Sequence, residues 1–358
     1  MTIASKSGGG GITSQYPVDY QLMRMLLEAA KVRAPFLNGT LPGQLQRNAG
    51  TDSVKWERIE NLAKATVPLA ELNGALTLPT RTGVVPTITP ITAQMLKYGN
   101  TIYLTEELDL MSVNARAAKF MLTLGENAGA TYNELMADVY QASTQNRFGN
   151  GVAGVTSIVT GISTGDVAYA ENLLNRQGGK KFVPYGYGST NIGTSPVRSA
   201  YMGICHVDVA VDMRDLTGFI PVEQYGGYTE TMPFEFGTIG GVRWAETEES
   251  SLINADAGTT SASNFRGTSD VLNDVYDSYV IAMDSVGSVG LGENHTKESY
   301  MTGDRIPAVI LTQGQRMATV ADPQAEIAPL SWKGWLVGKI LNDTWCCRLQ
   351  TLASDLTV

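Results

Sequence analysis

The spacing of apolar residues changes several times along this 358-residue chain, and each change predicts an element. Leu22, Met25, Leu26 and Ala29 fall at helical spacing and predict a short helix over 17–34, stopped by Pro35. Val54 and Trp56 stand two apart in a predicted strand over 53–60. Alternation returns over 91–104, interrupted by Gly99-Asn100. Between them Pro68, Pro79, Pro86 and Pro90 argue against a central strand, so 51–106 reads as a long two-stranded hairpin with an extended tip. The clearest helix runs over 110–143. Ala118, Met121, Leu122, Gly125, Ala128, Tyr132, Leu135, Met136 and Val139 form its i, i+3, i+4 stripe, with Ser112 or Asn114 as the cap and 146–150 closing it. At about 1.5 Å per residue it would be roughly 40–45 Å long.

The segment 148–196 is rich in Gly, Ser and Thr and reads as an insertion or loop-rich subdomain, with a short helix over 168–176. An apolar strand over 200–210 leads into a helix over 207–216. Strands are predicted over 238–247, 276–284 and 308–312, with a loop over 250–270. Two apolar runs, 332–341 and 345–353, split by Asn342-Asp343, end the chain. No internal repeat is visible.

The first hundred residues thus hold no self-sufficient core. Residues 1–16 are Gly- and Ser-rich and are expected to form a flexible arm that docks on a neighbour, with no cleaved segment before Met1. An isolated hairpin is marginal in water and needs a surface to lie on. A chain that spends over a quarter of its length on such extensions is built to assemble.

Charge sharpens this picture. The net charge is −9, opposite in sign to that of a generic nucleic-acid binder. Residues 1–100 hold 10 basic and 6 acidic side chains and the remainder 16 and 29, so a basic front precedes an acidic body that can attract it. No apolar run approaches the roughly 18 residues of a membrane helix, and the start lacks the apolar stretch of a secretory signal. Three cysteines cannot make a disulfide framework, and their usage fits a reducing compartment. In a strand, Cys346 and Cys347 point to opposite faces, and Cys205 reads as a small buried hydrophobe.

Catalytic chemistry finds little support. His206 lies in an apolar run and reads as structural, and His295 lies in a polar loop and reads as solvated. Cys205 and His206 are strand neighbours on opposite faces, not a nucleophile and its base. No Cys/His cluster has zinc spacing. Glu246, Glu248 and Glu249 read as a solvated charge run. Asp208, Asp212 and Asp215, at i, i+4 and i+7, read as an exposed acidic helix face. Gly287, Gly290 and Gly292 do not match a dinucleotide fingerprint, and Gly178-Gly179-Lys180-Lys181 is too short for a nucleic-acid patch. No cofactor, metal or catalytic residue is assigned.

The order of elements and five local stretches resemble a known family. Val54-Lys55-Trp56-Glu57-Arg58 with Ala65-Thr66-Val67-Pro68-Leu69 is similar to the family's hairpin entry. Ile91-Thr92-Ala93, Lys97-Tyr98-Gly99-Asn100, Leu104-Thr105 and Leu108-Asp109-Leu110 resemble its return strand and the turn into a spine helix. His206 to Arg214, with Gly218-Phe219-Ile220-Pro221-Val222 and Tyr225, is the strongest match, although Val207 stands where the family often has proline. Gly237 to Arg243 with Glu246-Thr247, and Trp332-Lys333-Gly334-Trp335 to Ile340-Leu341-Asn342-Asp343, follow in order. Together, over about 17–353, they resemble the tailed-phage major capsid proteins of the Hong-Kong-97-like fold, in the family typified by coliphage N-four.

The resemblance implies an α+β capsid (Johnson) fold. Its parts would be an N-terminal arm (1–50), an E-loop hairpin (51–106), a peripheral domain from the spine helix (107–147) and the terminal strands (327–358), and an axial domain drawn mostly from 197–326. The insertion at 148–196 has no match in the family. The implied function is a shell of hexamers and pentamers around a double-stranded DNA phage genome, held without sequence-specific contacts. The implied partners are copies of itself, a scaffolding protein, a portal and a decoration protein, with assembly in the host cytoplasm and residence in the virion. Trp56, Arg58, Lys64, Arg81, Thr82, Gly83, Lys97 and Tyr98 are the expected inter-subunit contacts. The alternatives are an encapsulin-like compartment shell, an α/β enzyme with an unrecognised site and a secreted β-rich adhesin.

Overall fold

The structure, a computed structural model, describes residues 35–45, 50–60, 62–64, 66, 83, 85–107, 116–182, 200–225, 232, 234–258, 264–268, 272–291, 309–313, 322–324 and 326–356. The helix expected over 17–34, the caps Ser112 and Asn114, His295 and Gly292 lie outside them. The described chain is built on one helix between two sheets.

That helix is the spine. After a short turn of helix, α1 (Pro35–Asn38), the chain forms strands β1 (Leu41–Leu45), β2 (Ser53–Ile59), β3 (Ile88–Gln94) and β4 (Leu96–Thr105), and then the helix α2 (Arg116–Gln141). Met121, Leu124, Ala128, Tyr132, Met136, Ala137 and Tyr140 of α2 are buried. Leu122 of the expected stripe is 39% exposed, and Leu124 takes its place. The apolar stripe of a helix drifts at 3.6 residues per turn, and two sheets claim opposite sides of this one.

One of those sheets is organised around β14 (Ile327–Ile340), whose fourteen residues serve three partners. β4 pairs with it antiparallel along one edge, from Ile327↔Thr105 to Leu336↔Leu96. Along the other edge lie β13 (Val309–Gln313) and then β12 (Val286–Leu291), end to end, and β1 joins β12 in parallel. Leu330, Trp332 and Leu336 of β14 point at α2. The Trp332 ring meets Tyr132 edge-on at 5.8 Å between centroids, and its Nε1–H donates to Asn127 Oδ1 at 3.0 Å. Gly338 permits the close approach of the two elements, because an added Cβ would lie 2.7 Å from the Met136 sulfur.

The second sheet has eight strands. Its order is β5 (Asn146–Phe148), β15 (Cys346–Thr351), β11 (Val275–Ile281), β6 (Tyr201–His206), β9 (Val242–Thr247), β8 (Glu235–Ile239) and β7 (Ile220–Pro221), with β10 (Ile253–Asn254) beside β11. Met202, Ile204, Tyr279, Ile281 and Cys346 face the spine helix. On the opposite face, Tyr201, Cys205, Val280, Cys347 and Leu349 pack against α3 (Thr164–Arg176) and α4 (Val207–Arg214). With both faces covered, β6 and β11 are buried at every residue, and neither shows the apolar–polar alternation of a half-wet strand. Two acidic side chains of this sheet, Glu235 and Asp277, are fully buried, and each is held by an arginine 2.5 Å away, Arg243 and Arg348.

Several expectations change in this frame. The return strand expected over 91–104 is two strands with different partners, β3 on β2 and β4 on β14. The single strand expected over 238–247 is the hairpin β8–β9, turned at Gly240-Gly241 with Gly240 at φ +60°. The glycines tested at 287 and 290 belong to strand β12, and Gly287 leaves room for the Trp56 ring, whose Cε2 would lie 3.1 Å from an added Cβ. The two terminal runs divide between the sheets, β14 in one and β15 in the other. In the Gly-rich stretch, α3 starts four residues before the expected 168. Its Val167, Ala170 and Leu174 are core residues, so the described part of 148–196 is integral to the body.

Candidate assembly surface

Strands β2 and β3 form a two-stranded ribbon, register Ser53↔Gln94 to Ile59↔Ile88, with strict alternation on both strands. One face turns inward: Val54, Trp56 and Ala93 pack with Met95, Val289, Trp335 and Val337 on the side of β14 away from the spine helix. Arg58 donates to the Leu341 carbonyl at 3.2 Å and to Glu60 Oε1 at 2.6–2.9 Å, tying the ribbon to the end of β14. The other face is open, and it is apolar at the far end, where Ile59 is 65% exposed and Ile88 51%; beyond the paired strands Leu62, at 56%, and Val85, at 86%, are exposed as well. Ile59 and Ile88 are direct cross-strand partners.

Pro90 sits within β3, where a central strand would reject it. Glu60 N–H donates to the Thr87 carbonyl and Met95 N–H to the Asp52 carbonyl. Hydrogen-bonded pairs alternate, so Glu57↔Pro90 is a non-bonded pair and the missing N–H faces the outer edge. The proline removes a donor from the edge most open to unwanted strand pairing.

The outer edge of β4 is a second open feature. Among the described residues no strand pairs with it. Glu106 N–H bonds the Glu326 carbonyl, so the odd-numbered residues Lys97, Gly99, Thr101, Tyr103 and Thr105 turn their backbone groups outward. The Thr101 N–H is taken up by the Asn100 side chain at 2.8 Å, which blunts the middle of that edge. Tyr103 is 67% exposed.

The eight expected contact residues separate into three groups. Trp56, Arg58 and Tyr98 turn toward their own chain, Tyr98 against the spine-helix core. Lys64, Gly83 and Lys97 are exposed. Arg81 and Thr82 lie outside the described residues. The open apolar side chains Ile59, Leu62, Val85 and Ile88 were not singled out in the sequence. The alternation of β2 could have found two of them, because the face opposite Val54 and Trp56 carries Ile59, and its partner strand carries Ile88.

The remaining chemistry is structural. The Nδ1 of His206 accepts the Asp208 N–H at 3.2 Å and caps α4, and burial lowers its pKa. Asp208 and Asp212 are not a solvated face. Asp208 bonds Tyr276 Oη at 3.0 Å and Arg266 at 3.0 Å, and Asp212 accepts the Ser354 N–H at 2.9 Å. Glu246 pairs with Arg214 at 2.9 Å. All three thiols are free and buried; burial pushes Cys346 and Cys347 up to about 12 and raises Cys205 as well, so none is a thiolate nucleophile. Among the described residues no group of three His, Cys, Asp or Glu side chains could hold a metal ion, and no helix is long and apolar enough to cross a membrane.

Comparison with known proteins gives the fold its class. No protein-family model and no curated protein matches the sequence. Solved structures do. The capsid of Ralstonia phage GP4 superposes with a TM-score of 0.63 over 92% of this chain and 91% of that one, at 8% identity. The capsid of cyanophage Pam1 gives 0.54 over 88% of each chain at 11% identity. The head structure of Helicobacter pylori bacteriophage KHP40 gives 0.53 over 89% and 92% at 10%. The chain has the mixed α+β fold of phage capsid proteins, as the order of its elements led us to expect.

Proposed function

We propose that this chain is the major capsid protein of a tailed phage, a structural and non-catalytic protein that assembles into hexamers and pentamers of an icosahedral shell around double-stranded DNA. The observation that carries the reading is the end-to-end likeness to a phage capsid protein, nine-tenths of both chains in a single superposition. A ribbon with an open apolar face supports it, since exposed apolar side chains grouped in this way mark a contact surface.

In this reading 51–106 is the E-loop region: β4 roots it in its own subunit, and the open face of the β2–β3 ribbon lies across a neighbour. The spine helix with the β14 sheet forms the peripheral domain. The eight-stranded sheet with α3 and α4 forms the axial body, and the part of the 1–50 arm ahead of Pro35 reaches over neighbours, since 35–45 pack within their own chain. A typical interface buries about 1,600 Å² in total. Several such contacts closed by symmetry make a shell far more stable than any pair. The acidic net charge keeps an inner wall from gripping the genome. A scaffolding protein, a portal and a decoration protein complete the particle, which assembles in the host cytoplasm.

Electron microscopy of the purified protein, with mass by light scattering, tests the reading. Closed shells or rings of five and six are expected. A stable monomer that never assembles with scaffold supplied would contradict it, and normal shells from a chain lacking 66–90 would remove the E-loop role.

A further inference from the structure

The long outer edge of β4 has one obstruction, and it stands at the middle. β4 is ten residues long, and among the described residues no strand pairs with the side turned away from β14. Lys97, Gly99, Thr101, Tyr103 and Thr105 turn their backbone groups to that side. An edge of this length invites another strand. Asn100 Oδ1 accepts the Thr101 N–H at 2.8 Å, and the Nδ2 of the same side chain donates to Asn127 Oδ1 of α2 at 3.3 Å. A side chain anchored on the spine helix thus occupies the central donor of the edge.

The sequence of β4 fits a second copy of itself. Two copies laid antiparallel about a two-fold axis at Thr101 put Thr101 opposite Thr101, Gly99 opposite Tyr103 and Lys97 opposite Thr105. All five residues turn their backbone groups outward, so each of these pairs is a hydrogen-bonded one. Two threonines make a favourable cross-strand pair, and an aromatic ring covers the bare backbone of a glycine. No like charges meet. Lys97, the strand's single charged residue, comes beside the Glu106-Glu107 end of the other copy, twice by symmetry.

We propose that the outer edge of β4 is a self-pairing surface for a second copy of this chain, and that Asn100 keeps it shut. In the central pair each Thr101 N–H would donate to the Thr101 carbonyl of the other copy. With both amides already taken by Asn100, the two bonds at the axis cannot form, and the pairing fails at its centre. Because Asn127 holds Asn100, the edge stays shut for as long as the spine helix keeps its place on β4. The inference stands without the shell reading, since it concerns two free subunits.

Sedimentation velocity of the dilute, unassembled full-length protein tests it. Asn100→Val frees the Thr101 amide and leaves Asn127 its bond from Trp332. It should tighten self-association about tenfold, through the two bonds gained at the axis. Thr101→Pro added to that chain should return association to the wild-type level. The Thr101 N–H has no partner in its own sheet, so the subunit tolerates the proline. Unchanged association of a folded Asn100→Val chain would overturn the proposal. So would a gain that survives Thr101→Pro, because the contact would then lie elsewhere. Amide exchange of the wild type, resolved to single residues, is a second measurement. Relative to their intrinsic rates, Thr101 should exchange several-fold more slowly than Gly99 and Tyr103. Equal rates would overturn the proposal even if a variant fails to fold.

Discussion

The β14 sheet and the β2–β3 ribbon are both antiparallel, are joined in sequence and touch each other, yet they spend their apolar residues differently. In β14 both faces are used within the chain: Leu330, Trp332 and Leu336 on the spine helix, Trp335 and Val337 under the ribbon. In the ribbon only one face is used, and Ile59 and Ile88 on the other lie open. The same period-two pattern thus encodes a core in one place and an interface in the other. What separates them is whether this chain supplies the covering layer.

The comparison can be broken hardest at Trp332. Trp332→Ala removes a buried ring and one of the two hydrogen bonds to the Asn127 side-chain carbonyl, and should cost about 3–5 kcal/mol in urea unfolding of the unassembled subunit. Asp277→Ala should cost a similar ~3–5 kcal/mol, because it leaves the mostly buried Arg348 without its carboxylate. Gly203→Ala puts a methyl 2.5 Å from the Trp244 ring and should cost about 1–3 kcal/mol by the same measurement.

The ribbon should behave in the opposite way. Ile59→Lys with Ile88→Glu should change subunit stability by no more than about 1 kcal/mol, since both side chains are more than half exposed and the new charges face each other with opposite sign. It should nonetheless abolish shells in sedimentation. Subunits of lower stability with intact assembly would reverse the roles assigned to the two regions.

The smallest effect is a pH dependence at His206. Burial holds its pKa below the ordinary 6.5, reinforced by Arg266 and opposed by Asp208, Glu248 and Glu249. The unfolded chain therefore binds the proton more readily. Stability from this group is complete above pH 6.5 and declines as the pH falls from there toward the folded-state pKa. His206→Asn keeps a capping acceptor and should flatten that slope in urea midpoints between pH 5 and 8.

Much of this was legible in the sequence, for reasons that differ by element. The spine helix was readable because one long stripe faces apolar layers. The β2 alternation was readable because one of its faces is wet. Cys346 and Cys347 on opposite faces followed from strand geometry alone, and they do lie in two different cores. The division of β3 from β4, and the placing of β14 and β15 in different sheets, was not readable, because pairing partners are set by contacts remote in sequence. β12 was missed because glycines at 287 and 290 erase its alternation. The aspartates of α4 looked solvated because their partners, Arg266, Tyr276 and Ser354, arrive from distant strands and loops. The cover that Trp56 and Tyr98 find within their own chain was not readable either, because it is remote in sequence.

The most direct test of the central claim is residue-level oxidative footprinting of the protein before and after assembly. The account predicts strong protection of Ile59, Leu62, Val85 and Ile88 in the assembled state, with Trp332 unreactive in both. Equal labelling of the four aliphatic side chains in free and assembled protein would contradict it.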